Sequence, residues 1–182
     1  EVIITKGQEN AFYPFNPRLG YGKYPDVITD LQFERMLSPT GPFNGMVVSP
    51  LDGEIPDRIA IVQGHVDNDE THLLSSLILG VNQSIIALDK TKDLKMVLIS
   101  PLCESFQEKF FDQAEKIPGL QIIEGSPELV EKDHDAQEPL LLKYSENGED
   151  KQKAFDLIVV LTKPKISPEL ESLGKKLKQD IV

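Results

Sequence analysis

The apolar positions of this 182-residue chain follow two rhythms that alternate: short unbroken runs, and longer stretches at helical spacing. Arg58–Gln63 (RIAIVQ), Lys95–Ile99 (KMVLI), Leu120–Glu124 and Asp156–Leu161 (DLIVVL) are short apolar runs, and RIAIVQ and DLIVVL have continuous apolar centres. That pattern predicts strands buried in the middle of a parallel sheet. Leu73–Leu88 is apolar almost all the way round, which suits a helix packed against a sheet. Glu104–Lys116 is amphipathic, with Phe106, Phe110, Phe111 and Ala114 on its predicted inner face, and it ends at Pro118-Gly119.

The flanking segments read differently. Thr29 and Gln32 form a capping-box pattern ahead of a helix of about two turns, with Leu31, Phe33, Met36 and Leu37 as its apolar stripe. Met46–Ser49 reads as a strand and Asp52-Gly53 as a turn. Glu128–Glu131, Leu140–Tyr144 and Gln152–Phe155 are short strand candidates, the last two joined around Asn147-Gly148, a strong hairpin signal; together they predict an antiparallel meander. Ser167-Pro168-Glu169 has the composition of a helix start. The opening EVIITKG is strand-like, and AFYPFNPRLGYGKYP is too proline-broken for regular structure and reads as an extended arm. The expected class is α/β: a Rossmann-like βαβαβ sheet with an antiparallel β-meander. Residues 1–57 are expected to form the arm, short helix and hairpin, and residues 58–182 the Rossmann-like domain.

With 30 acidic against 19 basic side chains and a net charge of -11, the chain repels a phosphate backbone, so nucleic acid is not an expected partner. No apolar run approaches the roughly 20 residues of a membrane helix, and the start lacks signal-peptide character; the expectation is a cytoplasmic protein without membrane insertion. The single cysteine, Cys103, excludes an internal disulfide and any cluster held by several thiolates of this chain. It precedes Glu104 near a helix start, where a dipole can lower a thiol pKa, but a small, partly buried structural thiol is the simpler reading.

A dinucleotide domain places Gly-x-Gly-x-x-Gly after its first strand so that the backbone can approach the pyrophosphate. Here the corresponding loop is Gln63-Gly64-His65-Val66-Asp67-Asn68-Asp69-Glu70. Gly64 and His65 are the candidate cofactor-binding residues of that loop, yet its three acids oppose a pyrophosphate. His65 and His72, with Asp67, Asp69 and Glu70 nearby, could in principle hold a divalent metal, but a solvated acidic loop that caps the helix is preferred, and no metal ligand is assigned. His134 lies in the polar run EKDHDAQE and reads as a surface residue. No catalytic constellation is assigned.

A family resemblance adds to this reading. Tyr21-Gly22-Lys23-Tyr24-Pro25, Val27-Ile28-Thr29, Phe33-Glu34-Arg35-Met36-Leu37-Ser38 and the Asp52-Gly53 turn before a buried strand resemble the central part of the A subunit of heterodisulfide reductase, a flavin and iron–sulfur electron-transfer protein. The resemblance implies a fold similar to the NAD(P)-type domain of two-dinucleotide flavoproteins. EVIITKG and AFDLIVVLTKP would then sit where such proteins have strands crossing to and from a flavin domain. In the resembled family the loop after the first core strand commonly reads Gln-Cys-Val-Gly-Ser-Arg-Asp, and the next helix begins Cys-Ser-x-x-Cys-Cys, expected ligands of a four-iron cluster. Gly64 takes the place of the first cysteine, and the helix start reads His72-Leu73-Leu74-Ser75-Ser76-Leu77, without a thiolate.

The expected function is therefore a cofactor-free structural or docking domain of an electron-transfer flavoprotein. FAD and iron–sulfur clusters would lie elsewhere in the parent protein or complex, and the partners would be its other domains or subunits. A homodimer through the aromatic N-terminal arm is a further expectation. A free-standing nucleotide-binding enzyme and a degenerate interaction module remain the alternatives.

Overall fold

The computed structural model describes residues 16–65, 69–132, 139–163 and 168–177. Contacts divide the chain into two units, residues 15–162 and residues 1–14 with 163–182. The described part of the second unit contains one helix, Pro168–Leu177, with Lys175 and Lys176 in its last turn. Its predicted cap Ser167 and the strand-like EVIITKG lie outside the described residues.

In the larger unit the order is β1 (Val27–Thr29), α1 (Asp30–Leu37), β2 (Arg58–Gln63), α2 (Glu70–Lys90) and β3 (Lys95–Ser100). A helical run follows, made of α3 (Glu104–Phe106), a π turn (Gln107–Phe111) and α4 (Asp112–Ala114). Then come β4 (Leu120–Glu124), β5 (Ser126–Glu131), β6 (Leu140–Glu146), β7 (Glu149–Phe155) and β8 (Leu157–Leu161). β1, β8, β2, β3 and β4 form a parallel sheet in that spatial order, and β5, β6 and β7 form the antiparallel meander. The chain steps outward from β2 to β3 to β4 and then returns to β8 on the other side of β2, so the topological switch point lies between β2 and β8.

Each central strand is apolar throughout because it is covered twice. Alternate residues point to opposite faces of a sheet, and Ile59, Ile61, Leu98, Val159 and Leu161 share a cluster with Phe33, Leu77, Ala87 and Phe106 of the helices. Ala60, Val62, Val97, Ile158 and Val160 share another with Leu142, Tyr144 and Phe155 of the meander. Gly80 lets α2 approach closely, since a Cβ there would lie 3.2 Å from Leu98 Cδ1. The hairpin between β6 and β7 turns at Asn147 and Gly148, with φ of 53° and 79°, as a two-residue primed turn requires.

The predicted capping box is present: Gln32 N–H donates to Thr29 Oγ1 at 3.3 Å, and Thr29 N–H donates to Gln32 Oε1 at 2.9 Å. That second bond also protects an edge. Among the described residues β1 ends the sheet, and the N–H groups of Val27 and Thr29 are taken locally by Tyr24 O at 3.1 Å and by Gln32 Oε1.

Some expectations change. Met46–Ser49 is not a strand: Val47 and Val48 are buried, which accounts for the apolar signal, but Ser49 bonds across the Asp52-Gly53 turn, its N–H to Glu54 O at 2.8 Å and its carbonyl from Gly53 N–H at 2.9 Å. Phe110, expected on an inner face, is 37% exposed, because the π turn breaks the 3.6-residue register on which that expectation rests. The expected division at 57/58 falls inside the larger unit, since β1 pairs with β8 and α1 packs on α2. Of the proposed arm, residues 16–25 lie against the same unit: Leu19 is buried in the meander-side cluster, and Asn16 Nδ2 donates to Glu128 O at 3.3 Å. Among the described residues α2, at 21 residues, is long and apolar enough to cross a membrane by length and composition; here its inner face packs on the sheet.

Candidate functional site

In open α/β sheets ligands bind beyond the carboxyl ends of the strands at a switch point, which here is the junction of β2, α2 and β8. Gly64 is buried and in line with the sheet: its N–H donates to Leu161 O at 3.1 Å, and its carbonyl accepts from Asn16 N–H at 3.3 Å. His65 is half-buried, and its ring meets that of His72 edge-on, 6.4 Å between centroids. His72 is engaged further along α2, where Ser76 Oγ lies 3.2 Å from its Nε2 and donates to its carbonyl at 2.8 Å. Asp69 is the N-cap of α2, and its carboxylate accepts the N–H of His72 at 3.1 Å.

That cap bears on a dinucleotide directly. A pyrophosphate binds a helix N-terminus by accepting its unpaired N–H groups and by answering the positive end of the helix dipole. Here a side-chain carboxylate already does both, and Glu70 adds an acid in the first turn. These residues do not fit a pyrophosphate. Asp67 lies outside the described residues, as does His134. Among the described residues no group of three or more His, Cys, Asp or Glu side chains is placed to hold a metal ion. Cys103 is 6% exposed and sits at the N-cap of α3 without a side-chain capping bond.

Across the switch point a buried polar cluster joins β8 to α1. Asp30 is 4% exposed and accepts from Thr162 Oγ1 at 2.7 Å, while Gln83 Nε2 donates to the Asp30 carbonyl at 3.0 Å. Burial pushes the Asp30 carboxyl above the usual carboxylate range, and the Thr162 hydrogen bond offsets part of that rise. Gln63 Oε1 and Gln83 Oε1 are buried without a hydrogen-bond partner.

A second concavity is not evident from the sequence. The Tyr21–Pro25 turn, the outer side of α1 and Pro42-Phe43 enclose a groove of about 500 Å³. The turn is tightly built: Gly20 has φ 81°, its carbonyl accepts the N–H groups of Lys23 and Tyr24 at 3.0 Å each, and a Cβ on it would lie 2.6 Å from Tyr24 Cδ2. The segment that carries the family resemblance is thus a wall of this groove. Its one sequence signal is a glycine pair spaced among aromatics, which by pattern alone reads as irregular arm.

No family model matches the chain. Curated relatives do. The chain is 25% identical over 185 residues to the A subunit of the ferredoxin/F(420)H(2)-dependent CoB–CoM heterodisulfide reductase of Methanosarcina acetivorans, covering 97% of this chain and 23% of that protein. It is 27% identical over 173 residues to the first of two iron–sulfur A subunits of the CoB–CoM heterodisulfide reductase of Methanopyrus kandleri, covering 87% and 26%. With the A subunit of the H(2):CoB–CoM heterodisulfide,ferredoxin reductase of Methanothermobacter thermautotrophicus it shares 27% over 169 residues, covering 87% and 25%. The chain therefore spans about a quarter of the length of the curated relatives it matches. Among solved structures it is similar to the flavoprotein disulfide reductase RclA of Escherichia coli, in its copper(II) complex, with a TM-score of 0.49 at 13% identity over 85% of this chain and 28% of that one. The thioredoxin reductase of Lactococcus lactis gives 0.46 at 14%, over 93% and 45%.

Proposed function

We propose, from the premise that this chain resembles the A subunit of heterodisulfide reductase over most of its length, that it serves as a structural and docking domain of an electron-transfer flavoprotein. In this reading the domain holds no redox group of its own. FAD and iron–sulfur clusters belong to other domains or subunits of the parent complex, which are also its partners, and the working compartment is the cytoplasm.

The observation that carries the reading is the β2–α2 junction. Its helix N-terminus is answered by Asp69, and the positions that match the family's cluster cysteines hold Gly64 and residues 72–77 without a thiol. A Rossmann-like sheet whose phosphate end is closed by its own carboxylate retains its shape and loses its ligand. Gly64 and His65 then act as the connection from strand to helix, with Gly64 bonded to β8 and His65 set against His72.

Anaerobic reconstitution followed by iron analysis and an absorption spectrum of the purified chain tests this proposal. The expected result is neither flavin nor cluster absorbance. A stoichiometric four-iron cluster or tightly retained flavin in the monomer would overturn it.

A further inference from the structure

The groove beside α1 has a charge opposite to that of the chain. Acidic side chains outnumber basic ones 30 to 19 overall, yet among the described residues the lining includes Lys23 and Arg35 and no Asp or Glu. Among the described residues neither cation lies within ion-pair distance of a carboxylate. The Lys23 ammonium is 4.7 Å from the centroid of the Tyr24 ring, a cation–π distance.

Between these cations the surface is aromatic. Tyr21 is 41% exposed and Phe43 37%, over a floor of buried Val27, Ile28 and Met36. The volume of about 500 Å³ falls in the range of small-ligand pockets, roughly 300–1,000 Å³. Strand addition is not the mode of recognition, because the N–H groups of Val27 and Thr29 are already bonded to Tyr24 O and Gln32 Oε1. What the groove offers is ring faces and positive charge.

We propose that this groove binds a planar aromatic ligand carrying an anionic group, of the nucleoside or flavin monophosphate class. The ring lies against Tyr21 and Phe43, where stacking is tolerant of ring identity, and the phosphate reaches Lys23 and Arg35, the guanidinium offering a planar fork of donors. The site is distinct from the β2–α2 junction, and it is an exchangeable one. A phosphate that binds here in titration and is lost on dialysis leaves the proposed function standing, whereas flavin retained through purification would count against that function and not against this groove.

Calorimetric and NMR titration of the whole chain at low salt tests the assignment, with AMP and FMN set against adenosine, riboflavin and inorganic phosphate. Saturable binding of AMP or FMN is expected, at least about tenfold tighter than that of the matching nucleoside or of phosphate alone. The preferred phosphate then identifies the ring. Lys23→Gln with Arg35→Gln should remove that margin, and Tyr21→Ala or Phe43→Ala should weaken binding several-fold, with thermal unfolding reporting that each variant is folded. Equal binding of charged and uncharged ligands, phosphate binding as tightly as AMP, absence of saturation, or indifference to the double charge removal would overturn the proposal.

Discussion

Thr162 Oγ1 donates to the Asp30 carboxylate at 2.7 Å across 132 positions of sequence, pinning the first residue of α1 to the end of β8. Because Asp30 is buried, the bond is held in a medium that disfavours its charge, and its pKa is raised. A raised carboxylate contributes stability that is full below the ordinary value of 3.8 and is lost as pH rises through the folded-state value. Asp30→Asn should therefore be at least as stable as the wild type at neutral pH and should flatten the stability profile above pH ~4. Thr162→Val, which leaves the buried carboxylate without this donor, should cost about 1–3 kcal/mol. Urea unfolding across pH measures both, and a wild-type profile that rises through that window would contradict the assignment.

The two glycines of the Tyr21–Pro25 turn should separate under substitution. Gly22 has φ 76° with open space around it, whereas Gly20 has φ 81° and a Cβ there would meet the Tyr24 ring at 2.6 Å. Gly22→Ala should cost about 1 kcal/mol, from backbone strain alone. Gly20→Ala adds a steric clash and should cost about 2–4 kcal/mol. Chemical denaturation gives the comparison; equal costs would mean that Tyr24 yields freely.

Asp156 ties the start of β2 to the approach to β8. Its Oδ2 accepts the N–H groups of Asp57 at 3.1 Å and Arg58 at 2.8 Å, and its Oδ1 accepts Arg58 Nη2 at 3.1 Å. Asp156→Ala should destabilise by about 1–2 kcal/mol, while Arg58→Gln should cost a few tenths, because the exposed ion pair is worth little beside the main-chain bonds. The order of the two effects is the check.

At the β2–α2 junction NADH and NADPH should bind weakly or not at all. Asp69→Ser keeps a helix cap and removes the charge, so it should leave stability within about 0.5 kcal/mol and raise dinucleotide affinity if the carboxylate is the main obstacle. Asp69→Ala should cost about 1 kcal/mol. Calorimetry at low salt decides, and micromolar affinity that survives Lys23→Gln with Arg35→Gln in the groove would show that the junction accepts a pyrophosphate after all.

The layers of this fold are legible in the chain because strands covered on both faces must be apolar throughout, as RIAIVQ and DLIVVL are. The capping box and the Asn147-Gly148 turn are legible because their chemistry is local. Met46–Ser49 misleads because Val47 and Val48 are buried, and burial does not imply a ladder. Phe110 misleads because periodicity assumes an unbroken α-helix, and no residue in Gln107–Phe111 marks the π turn. Of the candidate site, the loop position of Gly64, His65 and His72 at one junction follows from the strand and helix on either side. The pairing of Asp30 with Thr162 and the groove at Tyr21 depend on contacts that only tertiary packing brings together.

The closed rim of β1 limits how this sheet can enter an assembly. A neighbour seated on that side finds the N–H groups of Val27 and Thr29 already taken, so it cannot join as a fully paired strand and must hold on largely by side chains. Such an attachment can be tightened or loosened by a single substitution or by salt, and it can be released without unzipping the fold. The same closure denies an unintended strand the template on which edge-to-edge aggregation begins.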